Sequence, residues 1–387
     1  MGLTYQNKPA QEPALTALGR PSSIENETSK IPAPYELTYA QLVNYELIWE
    51  AYLACIKGKR YRPRYYDFEL NAESYLLELF QELLFDRYQP RQPNIFSIFC
   101  KCGQKRREIH ASAIRDSVVQ RLLYNYLYPI FNRSFIFDNY GCRKGKGTLK
   151  AADRCQEFIR KSPKDTYYLQ LDIRKFYYNL DHEILYRELA KKIHDPKVLS
   201  LCMAFVCHVP NENSYTPYTP NVGLDVGAML SQLFGLIYLN RLDHYAKRTL
   251  GIKRYIRYVD DIVIIGETKE KCLEYSRKLE AYINNELKLK LSANFIQPLR
   301  KGINFAGFRT WHEYRLVRKF SVRNFNRKLR KEHPNPKSIQ AMLAHARPSA
   351  SYAYMCNRVL DTHPELVNDL RGCVQHDLLK LQASRAR

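Results

Sequence analysis

Three aspartates stand where strand-like apolar runs end: Asp172 after YYLQL, and Asp260 and Asp261 after YIRYV. A carboxylate flanked by apolar residues at a strand end is costly unless a cation compensates it. Three such groups on one sheet edge suit hard divalent ions, because Mg2+ takes one or two carboxylates and completes its shell with water and substrate phosphates. Two ions about 3.5–4 Å apart activate a hydroxyl and stabilise the leaving oxygen of an in-line phosphoryl transfer. The implied chemistry is nucleotidyl transfer. Each motif also has a plain structural use, since Asp is at home in hairpin turns and Asp172 could cap a following helix.

The elements that must position these groups are readable from periodicity. Residues 165–172 (DTYYLQLD) form a short strand pattern, and RKFYYNLDHEILYRELAKKI then runs into a helix. Residues 255–266 read as strand, two-residue acidic turn, strand. Residues 231–245 are helical and apolar on one face, and a helix over 269–287 precedes the strand-like LKLKLSANFIQP and INFAGFRTW. Strand, helix, helix and hairpin make an α+β layer with an antiparallel sheet. Upstream, helical spacing over 40–55 and 71–86 brackets the basic, aromatic stretch 57–68. A second basic segment covers 101–111, followed by a helical run over 115–128 and the cationic, Gly-rich GCRKGKG at 141–147. From Arg315 the pattern is helical and basic, with eight cations unrelieved by an acid through Lys331, and Arg323, Arg327 and Arg330 fall on one helical face. Residues 1–40 carry no periodicity and read as an arm.

The chain has 387 residues, 61 Lys and Arg against 39 Asp and Glu, and a net charge of +22. So cationic a protein suits a polyanion, nucleic acid first and anionic membrane second. No apolar run reaches membrane-spanning length and the N-terminus lacks the apolar core of a signal peptide, so a soluble, cytoplasmic protein with no membrane partner is expected. Ten scattered cysteines without C-x-x-C pairs point to a reduced compartment, and Cys100, Cys102, His110 and Cys142 match no common structural-zinc spacing.

Tyr258-Val259-Asp260-Asp261 resembles the Y-x-D-D box of reverse transcriptases, and residues 171–178 (LDIRKFYY) resemble their first palm motif, an Asp followed four residues on by an aromatic pair. Residues 107–111 with Arg115-Asp116 are similar to the fingers segment that meets the triphosphate, 223–232 (GLDVGAMLSQ) to the template-side box, and 304–308 (NFAGF) to the primer-grip hairpin. The resemblance implies a right-hand polymerase: arm 1–40, fingers 41–165, palm 166–314 with a fingers insertion, and helical thumb 315–387. It further implies two Mg2+ ions, for which Mn2+ substitutes, held by Asp172 and Asp260, with Asp261 an outer ligand and the Ile173 carbonyl completing a site. By the same resemblance Lys105, Arg107, Tyr177 and Gln232 meet the incoming dNTP, Tyr177 as a steric gate against a ribose 2′-OH. Gly227, Ser231, Phe305, Gly307, Arg323, Arg327 and Arg330 meet template and primer. Where the family commonly carries a Lys acting as general acid, this chain has Phe295.

Ser231-Gln232, the stretch FDNYGCRKGKGTLKA and KGINFAGFRTW look most like reverse transcriptases of diversity-generating retroelements, although Asp225 stands where those enzymes usually have Pro. Bacterial anti-phage defence reverse transcriptases share the palm boxes. The implied partners are an RNA template, a DNA or RNA primer, dNTPs, a structured non-coding RNA, and an accessory protein or second polymerase. The rival readings are an RNA-templated RNA polymerase and a catalytically idle RNA-binding scaffold.

Overall fold

The computed structural model of the protein describes residues 37–100, 105–207 and 219–385. All but the last residues of the expected arm lie outside that range, as do residues 101–104 of the second basic segment. The helical body opens with α1 (Tyr39–Leu42), α2 (Tyr45–Ile56), α3 (Pro63–Leu70) and α4 (Ala72–Leu84). Asn44 caps α2 by accepting from the Glu46 amide, and Pro63 opens α3, where its missing N–H costs nothing. A two-stranded antiparallel ribbon follows, β1 (Asn94–Cys100) and β2 (Lys105–Ala111), in unbroken register from Asn94↔Ala111 to Cys100↔Lys105. The basic segment expected at 101–111 is thus half of a hairpin. Helices α5 (Ile114–Asn132) and α6 (Thr148–Arg160) lead to the central layer.

Alternation along β3 (Tyr167–Ile173) builds that layer. Leu169, Leu171 and Ile173 enter the largest apolar core with Ile262 and Ile264, whereas Tyr168 enters a second core with Val263, Ile265 and the α6 residues Cys155, Phe158 and Ile159. Helices α7 (His182–Ala190), α8 (Pro196–Val206) and α9 (Met229–His244) come next, then β4 (Tyr255–Tyr258), β5 (Asp261–Ile265), α10 (Lys269–Asn285) and β6 (Leu291–Pro298). The sheet is antiparallel with order β4-β5-β3-β6. Helix α9 departs from the sequence reading. It is buried on nearly every side, from Leu230 and Phe234 to Tyr238 and Asp243, because it runs through the centre of the largest core rather than along its surface.

A three-stranded sheet of β7 (Ile303–Phe305), β8 (Phe308–Thr310) and β9 (Arg315–Val317) precedes the helices α11 (Lys319–Leu329), α12 (Pro336–Ala346), α13 (Ser351–Thr362) and α14 (Gly372–Arg385). Phe308 and Val317 share a third core with these helices, including Phe325, Leu343, Val359 and Leu378. Residues 315–317 are therefore strand, not helix, and a boundary at 314/315 cuts a sheet. Arg315 is also relieved by an acid after all, since it pairs with Asp153 across a gap that sequence spacing does not reveal. Among the described residues no helix is long and apolar enough to cross a membrane.

The fold revises one expected nucleic-acid contact. Phe305 is 1% exposed, packed with Leu299, Ile303 and Ala306 against α6, so its ring is core and not free to meet a primer. Phe305→Ala should lower stability by about 3–5 kcal/mol, the range for a buried Phe truncated to Ala. Phe295→Ala, on edge strand β6 with the ring 38% exposed, should cost about 1 kcal/mol or less. Chemical denaturation of the two variants side by side checks the contrast.

Candidate active site

Cross-strand register brings the aspartates together. Asp172, the penultimate residue of β3, lies directly opposite Asp261, the first of β5, and Asp261 pairs in turn with Tyr258 of β4. The two-residue turn is therefore Val259-Asp260, not the acidic pair, and Asp260 projects from the loop between the strands. Asp172 caps no helix: the N-cap of α7 is Asp181, whose carboxylate accepts from the Ile184 amide at 3.0 Å.

None of the ion pairs among the described residues engages Asp172, Asp260 or Asp261. Burial pushes Asp260 up to about 6, with repulsion from Asp172 adding and the charges of Arg107 and Arg257 opposing. Burial likewise pushes Asp261 up to about 7, against a hydrogen bond from Gln170 and reinforced by Asp172. The carboxylates are turned to separate donors: the Ser292 hydroxyl donates to Asp172 Oδ2, and Gln170 Nε2 donates to Asp261 Oδ1 at 2.8 Å and to the Asn304 carbonyl at 3.1 Å. No three acidic, His or Cys side chains among the described residues converge as ligands of one ion. Like charges without a cation have reason to splay, and the donor set, two or three hard oxygens lacking a protein counter-charge, is the kind that fits Mg2+.

Sequence reasoning missed Ser292 and Gln170. Ser292 occupies the irregularity where β6 slips register against Asp172 and Ile173, a bulge that re-aims a side chain. Gln170 was hidden in a strand pattern, although its position two residues before Asp172 puts it on the same face.

The remaining expected residues separate into three groups. Arg107 is exposed on β2, and its charge is felt at Asp260; the side chain of Lys105 lies outside the described residues. Tyr177 follows Lys175, which takes a left-handed conformation into one tight turn over Phe176–Tyr178. Its ring rests beside Gly235 of α9, where an added Cβ would stand 3.2 Å from Tyr177 Cε1, and burial followed by the nearby Cys142 and Asp260 raises its hydroxyl pKa. Gln232 is exposed in the first turn of α9, whereas Ser231 beside it is 5% exposed and faces the core.

Gly227 has φ +109, a conformation for glycine, and a Cβ there would meet Ile109 Cγ2 at 3.0 Å. Its close neighbour in the fold is β2. The Val226 carbonyl accepts from the His110 amide at 2.9 Å, and the His110 ring bridges Asp225 at 2.6 Å and Glu108 at 2.7 Å. Burial opposes charge on His110, but the bonds to Asp225 and Glu108 outweigh it and raise its pKa. Asp225 thus ties the ribbon to the loop entering α9. Gly307 is the second residue of the β7–β8 turn, against His345 of α12. Arg323, Arg327 and Arg330 are exposed on the side of α11 opposite buried Phe325 and Leu329, and no ion pair among the described residues holds them.

Residues 97–310, more than half of the chain, match the family described as Reverse transcriptase (RNA-dependent DNA polymerase). The chain belongs to the reverse transcriptase family. As a member it is an RNA-directed DNA polymerase, a nucleotidyltransferase with a right-hand α+β fold. The reverse transcriptase is 22% identical over 276 residues to protein YkfC of Escherichia coli, covering 62% of this chain and 70% of that one. It is 22% identical over 285 residues to the group II intron-encoded protein LtrA of Lactococcus lactis, covering 57% of this chain and 47% of LtrA, so it spans about half of that relative's length. Among solved structures, telomerase from Candida albicans, in complex with a fragment of telomeric RNA, aligns at a TM-score of 0.45 with 12% identity, over 76% of this chain and 67% of that one.

The raised aspartates predict a pH effect. Because the folded pKa of Asp260 lies above its ordinary value, the folded state holds a proton that the unfolded state releases. The associated stability is present at low pH and is lost as pH rises from about 4 through about 6. Asp260→Asn should therefore stabilise the protein by about 1–3 kcal/mol at pH 8 in EDTA, converting the shift at about 1.4 kcal/mol per unit, and by nothing at pH 4. Denaturation curves of both proteins across that range check the sign.

Proposed function

We propose that the reverse transcriptase copies RNA into DNA by two-metal nucleotidyl transfer centred on Asp172 and Asp260. The observation that carries this reading is the pairing of Asp172 with Asp261 beside the Asp260 turn, with no basic side chain among the described residues paired to any of the three. Asp172 and Asp260 would hold the ions, with Asp261, already bonded to Gln170, in an outer role. Mg2+ bound there would supply activation of the attacking hydroxyl and charge stabilisation at the leaving pyrophosphate. Everything else falls to the chain's own residues.

Arg107, on the ribbon and within electrostatic reach of Asp260, binds the triphosphate, a task for which a planar guanidinium suits better than an ammonium. Tyr177, fixed between Phe176 and α9, stands where a bulkier sugar would collide. Gln232, exposed at the start of α9, meets the nucleotide, while buried Ser231 and exposed Gly227 shape the loop behind it. Phe295 has no proton to give, so the leaving pyrophosphate takes one from solvent. Exposed Arg323, Arg327 and Arg330 hold the phosphates of an A-form primer-template duplex, which is gripped through backbone rather than base edges.

The enzyme serves a bacterial or phage retroelement, templated by a dedicated structured RNA. The 137–151 segment and Ser231-Gln232 favour a diversifying element, and sequencing the copurifying nucleic acid separates this from defence: adenine-scattered copies for the first, repetitive product for the second. An idle scaffold is disfavoured because unpaired carboxylates at a strand end burden a fold that does not use them.

With Mg2+, dNTPs and a primed RNA, Asp260→Asn should lower extension at least about a thousandfold, equivalent to about 4 kcal/mol of barrier, and leave RNA affinity unchanged. Extension at the wild-type rate would refute the metal assignment. Tyr177→Ala should let ribonucleotides in: the ratio of dNTP to NTP incorporation should fall about tenfold or more, the scale of a lost steric contact. A wild-type enzyme that already prefers NTPs would favour the RNA polymerase reading.

A further inference from the structure

Arg257 and Asp243 are both completely buried, and Arg257 is the largest fully buried side chain among the described residues. The guanidinium grips the carboxylate in a fork, Nε to Oδ1 at 2.7 Å and Nη2 to Oδ2 at 2.6 Å, and the Tyr255 hydroxyl donates to the same Oδ1 at 2.7 Å. Such a pair is a poor device for stability, because desolvating two charges cancels most of their attraction and an apolar pair of equal volume often does as well. What an apolar pair could not do is supply the third bond. Arg257 Nη1 donates to the Val259 carbonyl at 2.8 Å, inside the turn that carries Asp260.

Val259 is the strained element there. It has φ +57, a left-handed conformation that a β-branched residue rarely adopts. It is confined from the other side by Gly141, where an added Cβ would stand 2.5 Å from the Val259 nitrogen and 2.8 Å from its Cγ2. The segment holding Gly141 is itself fastened to Arg257, whose amide donates to the Asp138 carbonyl at 3.0 Å and whose carbonyl accepts from the Tyr140 amide at 2.9 Å. The turn is thus clamped between a fixed carbonyl contact and a wall with room for glycine alone.

We propose that Arg257, held in the fork of Asp243, is a positioning residue for polymerisation: by retaining the Val259 carbonyl it keeps the turn left-handed and so sets where the Asp260 carboxylate stands. This rests on the reading of Asp260 as a catalytic carboxylate. A lysine at 257 would still face Asp243 with a positive charge, but its compact ammonium cannot fork onto the carboxylate and reach Val259 together.

The test is steady-state extension on primed RNA with Mg2+ and dNTPs, alongside thermal melting and RNA binding. Arg257→Lys should lower kcat about 100-fold, the effect of an ångström-scale misplacement of a reacting group, with KM for dNTP and RNA affinity within about twofold of wild type. Adding Val259→Gly, which takes the left-handed turn without strain, should recover about tenfold of kcat without raising Tm. Unchanged kcat in Arg257→Lys, or a loss that follows Tm and is not recovered by the glycine, overturns the proposal. Gly141→Ala leaves the ion pair intact and pushes the turn from the opposite side, so it covers the case in which Arg257→Lys fails to fold. The same kcat loss supports the clamp, and wild-type kcat overturns it. Asp260→Asn in parallel separates the two readings, because retained extension there refutes the carboxylate assignment, whereas its loss beside a fully active Arg257→Lys refutes the clamp alone.

Discussion

Mutual repulsion of carboxylates at the end of a sheet is the constraint on which the rest of this structure depends. Asp172 and Asp261 are placed opposite each other by backbone register, and Asp260 is carried beside them by a two-residue turn. Left to themselves, these groups would separate or take up protons, and burial first, with the repulsion from Asp172 added to it, raises the pKa values of Asp260 and Asp261. What holds them is apolar packing that has nothing to do with charge. Alternate residues of β3 enter two different cores, so sliding the strand by one residue would turn both faces inside out. The register is fixed by the hydrophobic effect, and the electrostatic conflict is its consequence.

The same logic explains why a central helix is buried all round. Helix α9 offers Gly235 to the Phe176–Tyr177 pair near its middle and Asp243 to Arg257 near its end, so one rigid rod touches both that aromatic pair and the support of the acidic turn. A surface helix could not do both, because its solvent face would have no partner. Burying Asp243 there requires a cation of matching shape, and β4, the strand that leads to the turn, supplies it in Arg257. The packing of α9 and the geometry of the acidic turn are coupled through that fork.

The strands and the aspartates were legible in the sequence because both rest on local patterns: period-two apolar runs, and acidic residues where those runs stop. Helix periodicity likewise placed α4, α5 and α10 close to their observed limits, whereas the run over 40–55 joined α1 and α2 across the break at Val43-Asn44. Long-range partners were not legible. Asp153 relieves Arg315 from a distance of 162 residues, Ser292 reaches Asp172 from 120, and Gln170 meets Asp261 from 91, none with a spacing rule to betray it. Val259 misled for a different reason. A β-branched residue is a strand former by propensity, and nothing local announces a left-handed turn, so the acidic pair was read as the turn in its place. Phe305 looks like a ligand contact in a motif, yet burial accounts for it.

Three arginines surround the acidic group and none pairs with it. Arg257 commits its fork to Asp243 and Val259. Arg107 stands exposed on the ribbon, and Arg318, whose Nε is buried without a partner among the described residues, acts on Asp261 only through its field. Direct pairing would have been simple to build and would have relieved the repulsion at once. It would also have occupied the carboxylate oxygens that hard cations need, since an arginine fork and a divalent ion compete for the same lone pairs. Charges held at a distance favour the ionised form of the aspartates without filling their coordination sites. On this view the unrelieved repulsion is maintained by the fold, because a site whose anions were already neutralised by side chains would have no electrostatic reason to gather ions and triphosphate together.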